Sequence, residues 1–209
     1  MVSEGPISGD ASPLVEMRPR PPTIDEPLSA QHDVSKFDCT GKLASPQIIE
    51  FLKTRALDEQ LSRNSATRIL RYDGEKIVRA YITTSPSSIG GVPGWDKPVS
   101  GLHIAYVGAD KSVRGARWGR FLINWSLAYA AKLDSCRCVN LWAYEDMVDY
   151  YVGMGFFKHG KAKPDELGPR QLMIFDMVAA LRDAADTAAP LPPLPIRRTL
   201  PKTDAPEPT

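Results

Sequence analysis

Apolar residues at the start of the central region follow a helical period. Between Pro46 and Leu61 they recur on one side of a helix, as at Ile48, Phe51, Leu52 and Leu57. The Ser45 side chain suits a helix N-cap, and Pro46 suits the first helical position. The pattern predicts a helix over residues 46–61.

An alternating pattern follows and predicts three strands. Ala66–Tyr72 and Lys76–Thr83 alternate apolar with polar residues, and Asp73-Gly74 between them is typical of a tight hairpin turn. Leu102–Ala109 predicts the third strand. These three segments indicate an antiparallel sheet in this part of the chain.

The second half of the central region alternates helical and strand patterns. It predicts in turn a loop over Arg114–Arg120, a helix over Phe121–Leu133, a strand over Cys138–Ala143, a helix over Asp146–Gly153 and a strand over Gln171–Met177. Strands separated by helices in this order predict an α/β fold, a mixed and mostly antiparallel sheet flanked by helices.

Proline marks the ends of the predicted domain. Thirteen of the 19 prolines lie outside residues 31–189. Segments so rich in proline lack the apolar content that offsets chain entropy. We therefore predict disordered tails over residues 1–30 and 181–209 around one domain at 31–180. The run Pro190–Pro195 is either a polyproline II ligand or only part of the tail.

Composition indicates the cellular compartment more clearly than it indicates the chemistry of the protein. The formal net charge of +1 combines a mildly basic central region with acidic tails, which neither requires nor excludes an anionic partner. The cysteines Cys39, Cys136 and Cys138 are odd in number and have neither disulfide-framework nor zinc-site spacing, so no metal is expected. No apolar run reaches the roughly 18 residues of a membrane span, and no secretory signal is visible. A cytoplasmic location is the expectation.

The loop predicted over Arg114–Arg120 contains residue types that commonly bind phosphate. Gly115 and Gly119 permit close backbone approach, and the start of a helix presents unpaired N–H groups to an anion. Arg114, Arg117 and Arg120 add positive charge. From these residues alone, a solvated arginine face beside an ordinary glycine turn is an equal alternative.

Two segments resemble motifs of the GNAT superfamily of acetyl-CoA-dependent N-acetyltransferases. The first is Val107-Gly108-Ala109-Asp110 followed by the loop. Arg114 matches the leading Arg/Gln of the family loop and Gly119 its final small residue, whereas Arg117 stands where the family pattern has glycine. The resemblance implies a splayed strand pair that forms the acyl-CoA cleft. It also implies cofactor contacts from Val107, Gly108, Ala109, Arg114, Gly115, Ala116, Arg117, Trp118, Gly119 and Arg120.

The second segment, residues 144–156, resembles the family motif that ends in aromatic-Tyr-x-x-x-Gly-Phe. Tyr150-Tyr151 and Gly155-Phe156 have this spacing. By this resemblance Tyr151 is the candidate general acid, since a phenol with a pKa near 10 is protonated at neutral pH. The alternative is a tyrosine packed on the sheet. Tyr150 is expected to pack against the sheet.

The N-terminal part of the domain resembles the TacT-type branch, whose members acetylate aminoacyl-tRNA and act as toxins. Phe37-Asp38-Cys39, the helix after it and Asn64–Leu70 carry this likeness, and Tyr81 is kept from the Gly-Tyr-Tyr segment. The resemblance implies a ribbon-helix-helix antitoxin as partner, and a homodimer is also considered. Candidate tRNA contacts are Lys53, Arg55, Arg63, Arg68 and Arg71, each of which could equally lie on a solvated surface.

Three functions remain open at this point. The first is acetyl transfer from acetyl-CoA to the α-amine of aminoacyl-tRNA. The second is transfer to a small amine or a protein N-terminus, and the third is a GNAT-fold binding module without catalysis. No carboxylate stands out as a general base, which favours an α-amine over a lysine, because an α-amine is largely neutral at physiological pH.

Overall fold

Seven strands form one mixed sheet in the computed structural model, which describes residues 23–41 and 46–187. The strands are β1 Thr23–Pro27, β2 Ala66–Tyr72, β3 Ala80–Ile89, β4 Val99–Ala109, β5 Cys138–Tyr144, β6 Phe157–Lys163 and β7 Arg170–Asp176. Their order is β1-β2-β3-β4-β5-β7-β6, with β4 and β5 parallel and the other neighbours antiparallel. The predicted fold class is confirmed.

Helices cover both faces of this sheet. The helices are α1 Pro46–Thr54, α2 Ala56–Leu61, α3 Trp118–Ala130, α4 Glu145–Val152 and α5 Met177–Thr187, with a short 3₁₀ turn at Lys111–Val113. Successive residues of a strand point to opposite faces. Leu70 therefore belongs to the apolar cluster that includes residues of α3 and α4, whereas Ile69 belongs to the cluster that includes residues of α1 and α2. Two apolar clusters therefore sandwich the sheet.

The predicted helix over 46–61 is divided in the structure. The backbone of Arg55, with φ −127° and ψ −31°, leaves the helical region and separates α1 from α2. The break lets Phe51 and Leu52 of α1 and Ala56 of α2 all pack against the same cluster on the sheet. Ser45, the predicted N-cap, lies outside the described residues.

The predicted hairpin has its turn where expected but a later second strand. Glu75 N donates to Tyr72 O at 3.1 Å, and Gly74 has a φ of 80°, which glycine adopts without strain. The chain then leaves β2, because Asp33 pairs with this segment: Asp33 N donates to Lys76 O, and Val78 N donates to Asp33 O. β3 consequently begins at Ala80 and continues to Ile89.

Secondary structure extends past the predicted domain limits, residues 31 and 180, at both ends. β1 lies in the segment predicted as a disordered tail and pairs with β2 in register Asp25↔Leu70. Ion pairs from Arg68 to Asp25 at 2.8 Å and from Arg71 to Glu26 hold it there. α5 likewise runs past residue 180. Residues 1–22 and 188–209 of the predicted tails lie outside the described residues.

Candidate active site

The cleft forms where β4 and β5 separate. Their parallel ladder runs from Gly101↔Cys138 to Ile104↔Leu141 and then ends. One residue further along β4, Ala105 is an extra residue in the register with β3, a β-bulge that bends the strand. The strand ends diverge beyond this point and enclose a cleft of about 220 Å³. The predicted splayed pair is confirmed.

Four of the ten predicted cofactor residues line this cleft and six do not. Eighteen residues line it: Gln47, Ile48, Ile104, Ala105, Tyr106, Val107, Gly108, Ala109, Gly119, Ile123, Leu141, Trp142, Ala143, Tyr144, Met147, Tyr150, Tyr151 and Arg170. They include the predicted β4 segment, Gly119 and Tyr151. The predicted contacts outside this lining are Arg114, Gly115, Ala116, Arg117, Trp118 and Arg120.

The start of α3 lies at one end of the cleft. α3 begins at Trp118 rather than at Phe121, so Gly119 and Arg120 belong to its first turn. That turn contains no acidic residue and its N-cap side chain makes no capping bond. A Cβ added at Gly119 would meet nothing within 4 Å. The positive end of a 13-residue helix, with its unpaired N–H groups, is therefore accessible to an anion.

Arg117, which stands where the family pattern has glycine, has a backbone conformation that favours glycine. Its φ of 60° and ψ of 23° place it in the left-handed region, where glycine is unstrained and other residues are disfavoured. Gly115 has a φ of 79° two residues earlier. The arginine at position 117 therefore adds local strain to a loop whose backbone suits glycine at this position.

Gly108 has a packing role that the motif did not reveal. A Cβ at this position would come within 2.9 Å of Ile48 Cγ2 and within 3.2 Å of the rings of Phe37 and Tyr81. Tyr81 in turn donates from its hydroxyl to Ile48 O. Gly108 thus lets α1 pack closely on β4, in addition to lining the cleft.

The guanidinium of Arg114 contacts the N-terminal segment of the domain. It donates to Thr40 O and lies where a Cβ of Gly41 would be, at 2.5 Å from its Nη2. Trp118 also packs on protein, with its ring edge-to-face with Tyr72 at 5.2 Å, and Arg120 is exposed. In this structure none of these three side chains reaches the cleft.

Asp110 fixes the loop between β4 and α3. Its carboxylate accepts hydrogen bonds from Asp38 N at 2.8 Å and from Ser112 N at 2.9 Å, and only 6% of the residue is exposed. Burial opposes ionisation, but the hydrogen bonds from Ser112 and Asp38 prevail and lower the pKa of the carboxyl group. A second link, the 2.7 Å ion pair of Lys111 with Asp38, joins the same two segments.

Tyr151 lies on α4 with its ring inside the core and lines the cleft. It is 6% exposed and packs edge-to-face on Phe156 at 5.8 Å. Burial, with a smaller contribution from Tyr150, raises the pKa of its hydroxyl above the usual phenol range. The hydroxyl therefore stays protonated throughout the physiological range.

Tyr150 differs from its prediction. It does not pack against the sheet but is 39% exposed and also lines the cleft. Its ring lies edge-to-face with that of Tyr151 at 5.2 Å. α4 thus presents two neighbouring phenols to the cleft, one buried and one at the surface.

The residues of the opposite wall of the cleft were not predicted. Trp142 and Tyr144 on β5 and Arg170 on β7 line it, the last two directly opposite in register. Alternation along β5 could have placed Trp142 and Tyr144 on one face, but only the antiparallel β5–β7 pairing brings Arg170 beside them. In the described part of the chain, no three His, Cys, Asp or Glu side chains are grouped to bind a metal.

Comparison with known proteins identifies the fold. No protein-family model matches the sequence, and no curated protein matches it. The solved structures that resemble it include the toxin AtaT complexed with acetyl-methionyl-tRNAfMet, with 18% identity over 77% of this chain and 98% of that one and a TM-score of 0.66. A tyrosine-to-phenylalanine mutant of KacT has 19% identity over 77% and 98% of the two chains, with a TM-score of 0.64.

A third match is a mutant of AtaT bound to the C-terminus of the antitoxin AtaR and acetyl-CoA. It has 19% identity over 75% of this chain and 94% of that one, with a TM-score of 0.62. The protein therefore has the fold of the toxin AtaT and of KacT, which is the GNAT fold that its two motifs predict.

Proposed function

We propose that the protein is an N-acetyltransferase that moves an acetyl group from acetyl-CoA to the α-amine of aminoacyl-tRNA. The observation that carries the proposal is the cleft itself. It has a helix start at one end, unpaired strand backbone along one wall, and the buried phenol of Tyr151 inside. The cleft thereby brings together groups that can bind an anionic cofactor, position the acyl group and donate a proton.

The pyrophosphate of CoA would bind at the start of α3. The N–H groups of the first turn supply hydrogen bonds and the helix dipole supplies positive potential. Gly119 keeps this position free of a side chain, and Arg117 and Arg120 lie exposed on either side of Trp118. The predicted contacts Gly115 and Ala116 contribute backbone in the loop that leads to this turn.

The thioester would lie along β4. Beyond Ile104 the edge of β4 that faces away from β3 has no β5 partner, so N–H groups in Val107–Ala109 can donate to the pantetheine and to the thioester oxygen. Donors fixed before the reaction stabilise the oxyanion that develops when the amine attacks. The strand splay is thus what makes these donors available.

Tyr151 would donate a proton to the departing thiolate. Burial keeps the phenol protonated, and it also makes a thiolate more basic in the same surroundings. Burial raises the pKa of the Cys138 thiol of this chain to about 11, for example. Proton transfer between the two buried groups is therefore feasible, although both are weaker acids than in water.

The residues of the cleft favour an acceptor that needs no base. Neither Asp nor Glu occurs among the described residues that line it, and Glu145 and Asp146 lie exposed in the first turn of α4. An α-amine, with a usual pKa of about 7.7–8.0, is substantially neutral at physiological pH. A lysine amine would require a general base. Transfer to a small α-amine or a protein N-terminus is the alternative.

The structural neighbours support the finer assignment, because AtaT has been seen with acetyl-methionyl-tRNAfMet, with acetyl-CoA and with its antitoxin. A ribbon-helix-helix antitoxin and a homodimer belong to the same proposal, as does a cytoplasmic location. No helix among the described residues is long and apolar enough to span a membrane.

The predicted tRNA contacts divide into two groups. Arg55, Arg68 and Arg71 are paired with Glu59, Asp25 and Glu26. Arg68 also lies 4.8 Å from the ring centroid of Trp125. Lys53 and Arg63 are exposed and remain candidates for phosphate contact.

Incubation with acetyl-labelled acetyl-CoA tests the proposal. Charged tRNA, deacylated tRNA and a small α-amine are offered together, and the label in each pool is measured. We expect label on charged tRNA alone, released with the amino acid on mild alkaline hydrolysis of the ester. Label on the small amine alone supports the alternative acceptor. Label in no pool, with acetyl-CoA still bound, supports a binding module.

A further inference from the structure

The wall opposite β4 contains a cation that the proposed transfer chemistry leaves without a role. Arg170 is the first residue of β7, lies opposite Tyr144 in the β5–β7 ladder and lines the cleft. Its Nη2 lies 2.8 Å from Asp165 Oδ2, and 38% of its side chain is exposed. A partly exposed guanidinium in a cleft is well placed to meet a ligand.

Arg170 is poorly satisfied by its protein partner. Its Nε is shielded from solvent and has no acceptor, which singles it out among the buried side-chain nitrogens and oxygens of residues 23–41 and 46–183. The large majority of buried side-chain polar atoms in proteins are hydrogen-bonded. Asp165 is shared, because its Oδ1 already accepts from the Tyr144 hydroxyl at 3.0 Å and from Leu167 N at 3.3 Å. The ion pair with Asp165 therefore uses few of the N–H donors of the Arg170 guanidinium.

The surroundings of Arg170 are cationic and aromatic. Lys163 of β6 is its register partner, and Lys163 Nζ lies 4.9 Å from the centroid of the Trp142 ring, which also lines the cleft. Asp165 is the carboxylate that contacts the guanidinium. An anion that enters this end of the cleft meets two positive side chains, and Asp165 is its competitor for Arg170.

We propose that Arg170 is a specificity-determining residue that turns from Asp165 to bind an oxyanion of the acceptor. The inference rests on the proposed transfer function and deepens it. A guanidinium binds a phosphate or a carboxylate through two parallel N–H···O bonds, one from Nε and one from Nη. This would satisfy the Nε that Asp165 leaves unpaired. The acceptor then carries a phosphate, as a nucleotide does, or a carboxylate, as a free amino acid does.

Binding titrations with three simple probes test the proposal. They are AMP for the phosphate, N-acetylglycine for the carboxylate and adenosine as the uncharged reference, each titrated into the protein with and without saturating CoA. We expect Arg170→Gln to weaken one or both anionic probes about tenfold and to leave adenosine unchanged. The probe that weakens identifies the source of the oxyanion. Arg182→Gln, an exposed arginine of α5, is the matched control and should change nothing.

A second variant predicts the opposite sign, which a folding defect cannot mimic. Asp165→Asn keeps an oxygen for the Tyr144 hydroxyl but removes the charge that competes for Arg170, so the same anionic probe should bind several-fold more tightly. If wild type binds neither anion, or if Arg170→Gln leaves both unchanged, the proposal is overturned. A protein that binds the anions through Arg170 but transfers no acetyl group would contradict only the proposed function.

Discussion

The two motif-bearing segments at the cleft, the loop before α3 and the helix α4, differ in what their residues must do. In the loop before α3 the backbone path matters, and Arg117 occupies the glycine position by adopting a φ of 60°. On α4 the depth of the side chain matters, because Tyr151 is 6% exposed and its neighbour Tyr150 is 39% exposed. A departure from a glycine pattern can therefore be harmless to the fold, whereas a shift of one residue on α4 would exchange a buried phenol for an exposed one.

The largest expected effect is at Tyr151. Tyr151→Phe keeps the ring contact with Phe156 and removes the proton donor, so turnover should fall by about 10²–10⁴-fold with acetyl-CoA affinity nearly unchanged. Steady-state kinetics and direct cofactor titration would measure the two quantities. Tyr150→Phe is the matched control, since that ring lines the same cleft, and should retain activity within a few-fold. Loss at Tyr150 in place of Tyr151 would assign the acid to the exposed phenol.

Gly119 should control cofactor binding without controlling the fold. A Cβ at this position points into open space, so Gly119→Val should fold, and its added methyl groups should obstruct approach of the pyrophosphate to the start of α3. We expect acetyl-CoA binding to be lost in a calorimetric titration. Gly119→Ala, with a smaller group, should bind with intermediate affinity. Unchanged affinity in both would place the phosphate site elsewhere.

Asp110 should affect stability in a pH-dependent way. Its folded pKa is lowered, so its ionisation stabilises the fold above the usual Asp value of about 3.9, and this contribution is lost as the pH falls through the lowered folded value. Asp110→Asn should cost about 1–3 kcal/mol at pH 7. The difference in the free energy of unfolding between the variant and wild type should become smaller in denaturant titrations carried out below about pH 4. An equal difference at every pH would contradict the role assigned to the carboxylate.

The smallest expected effect is at Arg117 and has the opposite sign. Arg117→Gly removes the cost of a left-handed non-glycine residue but adds entropy to the unfolded chain, so stability should rise by about 1 kcal/mol or less. Arg120→Gly, three residues further inside α3, should lower stability by about 1 kcal/mol. Denaturant titrations of the two variants give the comparison. A loss of stability in both would mean that the Arg117 conformation is not strained.

The elements with long periodic patterns were predictable, and those formed by tertiary contact were not. Strands β4, β5 and β7 and helices α3 and α4 lie within a few residues of their predicted positions. β1 was missed because its sequence, in a proline-rich segment, has no strand pattern. It is an edge strand, where a proline such as Pro27 is tolerated, and its pairing with β2 and two ion pairs hold it in place. β6, with three lysines among its seven residues, has no apolar face to reveal it.

The candidate site was predictable where a motif fixes the backbone. The motifs located Gly119, Tyr151 and the β4 segment, all of which line the cleft. They did not predict that Arg114 would contact Thr40, because this depends on a segment more than 70 positions away. Arg170 was missed for the same reason. Its neighbours in the cleft come from β5, and the sequence of β7 alone does not reveal this pairing.

Unfolding in the presence of acetyl-CoA tests the central claim, that this cleft binds the cofactor, most directly. Denaturant titrations are repeated over a series of acetyl-CoA concentrations for wild type and Gly119→Val. For wild type the free energy of unfolding should reach about 2.7 kcal/mol above its unliganded value at 100 times Kd and rise by about 1.4 kcal/mol for each further tenfold. The variant should not respond. A wild-type protein whose stability is unchanged at millimolar acetyl-CoA, or a variant that is stabilised equally, would contradict the account.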